Sequence, residues 1–188
     1  MKFVKKGSFI FVIMLLLSGC FNIPIGDGNK LKLSKDGVTV TDKEGQEHSV
    51  TVDEDNEQVK VKGFGQDGEE ASVTIGNNTE IPDAFPSDIP LPDDAEVFQA
   101  SEIQELVSVG YETKVTPEEI GELYVGYLEG SVSGDFDQVV GQKENDSYRH
   151  YAADMKGGSV SIRVINSQKY EGGSNVIVMF TKQKDDTN

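Results

Sequence analysis

The sequence predicts an α+β protein, an N-terminal β-meander followed by an antiparallel sheet with one packed α-helix. Three observations carry that expectation. Between Lys30 and Glu80 apolar residues alternate with polar ones and turn residues interrupt them at near-regular intervals, the mark of short strands with one buried face. At Thr116-Pro117-Glu118-Glu119 stand an N-cap, a proline suited to the first helical position and a glutamate able to close a capping box. After Asp135 the period of two returns.

Taken in order, Leu31 and Leu33 precede Lys35-Asp36-Gly37, and Val38 and Val40 precede Asp42-Lys43-Glu44-Gly45. Val50 and Val52 lead to Asp53-Glu54-Asp55-Asn56, Val59 and Val61 to Gln66-Asp67-Gly68, and Val73 and Ile75 to Gly76-Asn77-Asn78. Asp-Gly and Glu-Gly supply the left-handed residues that tight hairpins require. Residues 30–80 thus read as an acidic meander of about five strands. Phe64 is their only aromatic residue, and so thin a sheet is marginal alone. It is expected to pack on the second module or to be partly mobile. The cluster Asp53 to Glu57 offers hard oxygen ligands, but no turn has the alternating acids, sixth-position Gly and twelfth-position Glu of an EF-hand loop. Solvated hairpin tips are the preferred reading, and no metal site is assigned.

Four of the six prolines fall between Pro82 and Pro92, so residues 81–95 are expected to form a stiff, polyproline-like connector. Its Ile81, Phe85, Ile89 and Leu91 are too apolar for a bare linker and predict a strap lying on the second module. That module, residues 96–184, holds all six Tyr and three Phe, and so the main core. Glu96 to Ile103 and Glu105 to Lys114 read as strands. Ile120, Leu123, Tyr124, Tyr127 and Leu128 form one helical stripe, which Gly130 is expected to end. Phe136 to Gln142, Ser147 to Met155, Ser159 to Ile165 and Asn175 to Thr181 read as four further strands, the last apolar on both faces and therefore central. Residues 185–188 are a polar tail.

The chain has 188 residues, 17 basic and 33 acidic side chains, a net charge of −16, one Cys and two His. The charge argues against nucleic acid as partner, since phosphate affinity needs clustered Lys and Arg. One Cys excludes a disulfide framework, and with only His48 and His150 a Cys/His zinc cluster is excluded too. There is no nucleophile elbow, HExxH or phosphate-cradling Gly-rich loop, so no catalytic residue and no cofactor is assigned. The one chemical cluster is Tyr148-Arg149-His150-Tyr151. On a strand, Tyr148 and His150 share one face and Arg149 and Tyr151 the other. Tyr and Arg are favoured at binding hot spots, and these four form the candidate binding surface. The plainer reading, one aromatic face buried under the helix and one exposed, is preferred.

The N-terminus has the plan of an export signal: Lys2, Lys5 and Lys6, then nine unbroken apolar residues from Phe9 to Leu17, too few to span a bilayer. The run ends Leu17-Ser18-Gly19-Cys20, which resembles the lipobox of bacterial lipoproteins. The resemblance implies a signal peptide over residues 1–19, cleavage before Cys20 and diacylglycerol on its thiol, with a further acyl group on the new amine left open. A plain secretory signal or an uncleaved anchor are the alternatives. The processed chain keeps 14 basic and 33 acidic side chains, a charge of −19. Residues 20–29, with Pro24, Gly26 and Gly28, read as an irregular lipidated tether. The stretch Phe85 to Ala95 is similar to one found in uncharacterised lipoproteins of Bacillus-type bacteria, ahead of a small α+β domain; that likeness covers about the last hundred residues and brings no known catalytic residue.

The expectation is therefore a lipoprotein on the extracytoplasmic face of the cell membrane, held through lipid on Cys20. It would be a non-catalytic binding or interaction module whose partner is an envelope protein or a small ligand. The alternative is a structural or accessory subunit of an envelope membrane-protein complex, with a hydrolase of envelope substrates a distant third.

Overall fold

Every strand needs partners for its backbone N–H and C=O groups, and the way this chain supplies them decides its architecture. The structure, a computed structural model, describes residues 21–24, 28–64, 68–132, 135–143 and 146–183. The strands are β1 (Phe21–Pro24), β2 (Lys30–Ser34), β3 (Gly37–Thr41), β4 (Glu47–Asp53), β5 (Gln58–Phe64), β6 (Glu70–Gly76), β7 (Glu96–Ile103) and β8 (Leu106–Thr113). After the helix α1 (Pro117–Ser131) come β9 (Asp137–Lys143), β10 (Asp146–Met155), β11 (Gly158–Asn166) and β12 (Ser174–Lys182). All twelve strands join one antiparallel sheet, ordered β1 to β8 in sequence and then β12, β11, β10, β9.

The expected α+β fold, with a meander set apart from a second sheet, is overturned. β6 pairs with β7, from Ala71 opposite Ile103 to Ile75 opposite Gln99, so the two sheets are one. Among the described residues a single 15-residue helix stands beside twelve strands, a β-rich fold. The physical reason is the edge of β6, whose unpaired backbone groups accept the next strand in the chain.

The connector that brings β7 back is not extended polyproline. Three successive turns fold it, in which Phe85 N–H donates to the Pro82 carbonyl at 2.9 Å, Ile89 N–H to Pro86 at 3.2 Å and Ala95 N–H to Pro92 at 3.0 Å. Each turn opens on a proline followed by Asp or Ser, residues that initiate turns by bonding nearby backbone. Phe85 and Ile89 are buried in the main core and Leu91 packs against it, whereas Ile81 stays exposed. Asp94 fastens the end of the connector to β8: Thr113 Oγ1 donates to it at 2.5 Å and Lys114 N–H at 3.0 Å, which holds its carboxyl below the usual aspartate range, the Thr113 bond contributing most.

Two local expectations are also corrected. Phe21–Pro24 is not an irregular tether but an outer strand, antiparallel to β2; Pro24, which cannot donate, sits at the last position of an edge strand, where proline is tolerated. Residues 25–27 lie outside the described residues. Gly130 does not end α1. The helix runs to Ser131, and Val132 turns extended as its N–H donates to the Leu128 carbonyl at 3.0 Å. Val132 then bridges Met155, and this pairing takes the role a left-handed glycine would have had. At the other end, Glu119 N–H reaches Thr116 Oγ1 at 3.3 Å and Thr116 N–H reaches Glu119 Oε2 at 3.2 Å.

Registers show where the core lies. In β8, β12, β11 and β10, Val109, Val178, Ile162 and Tyr151 are in line across the sheet, and so are Val107, Phe180, Val160 and Ala153. Ile120, Tyr124 and Leu128 of α1, with Phe85 and Ile89, complete this buried cluster on the same face. Tyr111 and Tyr124 share a buried hydrogen bond of 2.9 Å, and burial pushes both phenols well above their ordinary pKa.

Followed into the meander, that face becomes polar. Ala100 stands opposite Val109 on one side and Thr74 on the other, Thr74 opposite Lys60, and Lys60 opposite Thr51. The reverse face does the opposite: Ser108 leads through Ser101 and Val73 to Val61, Val50, Val38 and Leu33. The sheet's apolar side therefore changes face between β6 and β7. The helix covers only the C-terminal half.

Candidate functional site

β10 carries the four residues singled out in the sequence, and strand alternation divides them. Tyr148 and His150 point away from α1. Tyr148 is partly exposed with the Arg163 guanidinium 5.9 Å from its ring centre, and His150 Nε2 lies 2.9 Å from Ser161 Oγ. These groups satisfy one another across β10 and β11. Arg149 and Tyr151 point to the helix side, so no single surface uses all four.

The second pair is less settled. Tyr151 is fully buried, yet its Oη has no hydrogen-bond partner, and neither has the buried Arg149 Nε. A terminal nitrogen of Arg149 lies 3.6 Å from Glu118 Oε1 on α1. Buried polar groups are ordinarily paired, and an orphaned hydroxyl costs roughly 1–3 kcal/mol.

Gly121 explains how the helix comes this close. A Cβ built there would fall 2.6 Å from Tyr151 Oη and 3.0 Å from Arg149 Cδ, so any larger residue would push α1 off the strand. Along the seam runs a groove of about 320 Å³, lined by Glu118, Glu122 and Glu129 of α1, by Gln138 of β9, and by Arg149 and Tyr151. Its floor presents the Arg149 guanidinium, with Nε and the neighbouring Tyr151 Oη closed off beneath it, and its helix wall offers carboxylates. That division suits a molecule with an acceptor oxygen at one end and a positive charge at the other. The lining pairs no hydroxyl or thiol with an imidazole, the arrangement nucleophilic catalysis would use.

Gly121, Glu122, Glu129 and Gln138 are not among the residues the sequence picked out, and Glu118 appeared only within the capping motif. A glycine immediately after Ile120 inside an apolar helical stripe was the available signal, since glycine weakens a helix interior and there marks a close approach. On the side of α1 away from the groove, Tyr127 Oη donates to Asp88 at 3.3 Å, and burial together with that carboxylate pushes the phenol up to about 12. On the far side of the sheet, Lys169 and Tyr170 both bond Glu96 and hold its carboxyl below the ordinary glutamate range, Lys169 first.

Among the described residues no three His, Cys, Asp or Glu side chains gather as metal ligands, and no helix is long and apolar enough to cross a membrane. Cys20 and the segment before it lie outside the described residues. Set against family models, curated proteins and solved structures, the chain matches none. The fold and groove thus define an antiparallel β-sheet protein with a helix-capped polar cleft.

Proposed function

We propose that this chain is a lipid-anchored lipoprotein of the extracytoplasmic membrane face, a non-catalytic module that binds a small zwitterion in the groove between α1 and β10. The anchoring half rests on the basic start, the short apolar run and the sole cysteine placed after Leu17-Ser18-Gly19. The thiol is the strongest nucleophile available to accept a lipid, and two or more acyl chains hold a protein stably where one does not. In cells, Cys20→Ser is expected to move the protein from the membrane fraction to the soluble fraction with its fold retained. Retention in the membrane fraction would remove the anchor from this reading.

The binding half is carried by the orphaned pair, Tyr151 Oη and Arg149 Nε. Both atoms are sealed from solvent in the free protein, so a carboxylate or carbonyl oxygen would pair them as α1 moves off β10, and an ammonium at the other end would face Glu122 and Glu129. Amino acids and short peptides have that build, and glycylglycine is a suitable probe. Tyr151→Phe separates this role from a structural one. Because the hydroxyl has no partner in the free protein, its removal is expected to leave stability unchanged or raise it by up to about 1 kcal/mol. The same change is expected to weaken glycylglycine binding about tenfold by calorimetry, the effect of one lost hydrogen bond to a charged group. Wild-type protein that binds no glycylglycine, or a Tyr151→Phe protein that is clearly less stable, would count against the groove as a site.

A further inference from the structure

Among the described residues none covers the apolar face of the meander. Leu33, Val38, Val50, Val52, Val59, Val61 and Ile75 are each between 40% and 52% exposed. They share one side of β2 to β6: Leu33, Val38, Val50, Val61 and Val73 form one cross-strand row, and Val52, Val59 and Ile75 another. No Lys, Arg, Asp or Glu of these strands falls on that side. Lys30, Lys32, Glu47, Asp53, Lys60, Lys62 and Glu70 all alternate to the reverse. With strands ~4.8 Å apart and about five residues long at ~3.4 Å each, the patch measures roughly 400 Å² in plan. That is within the ~300–600 Å² of the largest patch on a typical monomer, a size that is often functional.

The geometry points to a second copy of this chain as the occupant, the two meanders stacking face to face as a β-sandwich. Rows of β-branched side chains of equal height are self-complementary, and sheets pack in this way at ~10 Å. Among the described residues α1 and the connector's Phe85 and Ile89 pack on the other face and leave the approach open. A two-fold axis along the inter-strand direction sets β1 of one copy beside β1 of its partner. Cys20 adjoins β1, so, if the proposed lipidation holds, both anchors enter one membrane. A lipid bilayer is the poorer occupant. The turns that frame the patch carry Asp36, Asp42, Glu44, Glu54, Asp55 and Glu57 against Lys35 and Lys43, and anionic headgroups would repel them. Between two copies those turns stand about one Debye length apart at 0.1 M salt, where their repulsion is only partly screened, so added salt should tighten the contact.

The area fixes the strength. About 400 Å² from each copy is half the ~800 Å² of a standard interface, so the dimer is weak in solution and is strengthened by confinement on a membrane surface. Sedimentation equilibrium of the Cys20→Ser protein from about 10 μM to about 1 mM should show a reversible monomer–dimer equilibrium, tighter at about 500 mM than at about 50 mM NaCl. Val50→Lys should weaken it at least tenfold and Thr51→Lys, on the reverse face, less than twofold. In the Cys20→Ser background, Val61→Cys should oxidise to a covalent dimer and Lys60→Cys should not, a readout that survives any loss of stability in Val50→Lys. A monomer throughout the range, cross-linking through Lys60→Cys alone, or binding of the Cys20→Ser protein to phosphatidylcholine vesicles without self-association would each overturn the inference.

Discussion

Replacing Leu128 by alanine is expected to lower the free energy of unfolding by about 2–5 kcal/mol. Leu128 is fully buried in the last turns of α1, on one line with Ile120 and Tyr124, which are equally inaccessible. The helix lies on β10 and β11, and its stripe joins Val109, Val178, Ile162 and the connector's Phe85 and Ile89 in one buried cluster. Truncation leaves a void beneath a helix whose position is already set at its other end by the Thr116–Glu119 capping box and by the Gly121 contact with Tyr151. The strands below cannot close on it, because their ladders hold them in the sheet. The site relaxes poorly, and poor relaxation is what raises the cost of such cavities. Urea titration should show a lower midpoint with an unchanged slope. Val50→Ala provides the contrast: at 45% exposure it should cost under about 1 kcal/mol in dilute monomer. A loss below that figure for Leu128→Ala would mean that the helix contributes little to the C-terminal half.

How much of this was legible in the sequence depends on the range of the interaction. α1 was announced by Thr116, Pro117 and Glu119, because a capping box is made within four residues. The strands stand close to where alternation and turn residues placed them, since side-chain period and hairpin chemistry are also local. The division of Tyr148 and His150 from Arg149 and Tyr151 followed from parity alone. What failed was assembly. Reading an apolar face for residues 30–80 and another for residues 96–184 said nothing about how the two faces relate, and the pairing of Ala71–Ile75 with Gln99–Ile103 joins segments across the connector. That pairing turned an expected two-part α+β protein into one sheet whose apolar side changes face. The prolines misled because each fixes only its own φ and biases its predecessor; the turns they open depend on the Asp, Ser and buried Phe85 and Ile89 that follow. The groove was half legible. Its strand residues were singled out, but its helix wall was not, because Gly121 signals a close approach without saying to what.

The paired glycines of the β10–β11 hairpin show how one dipeptide hides two different requirements, and they set the second large expected effect. Gly157 has φ +90°, a conformation that glycine adopts at little cost. Gly158 is held by space instead. A Cβ there would lie 2.1 Å from the Thr181 carbonyl oxygen and 2.8 Å from the Phe180 ring. The first obstacle is backbone, in a strand paired on both sides, with β11 and with β8, so β12 can retreat only by breaking ladder hydrogen bonds or pressing Phe180 into the core. Gly158→Ala is therefore expected to cost about 3 kcal/mol, the upper end of the range for overpacking, although alanine itself favours extended structure no less than glycine. Gly126→Ala in α1 is the matched control. Nothing lies within 4 Å of its added Cβ, and helix propensity alone should raise stability by up to about 1 kcal/mol. Thermal unfolding of the two variants should thus move in opposite directions. Equal, small shifts would mean that β11 and β12 are farther apart at this corner than the register of Gly158 opposite Lys182 requires.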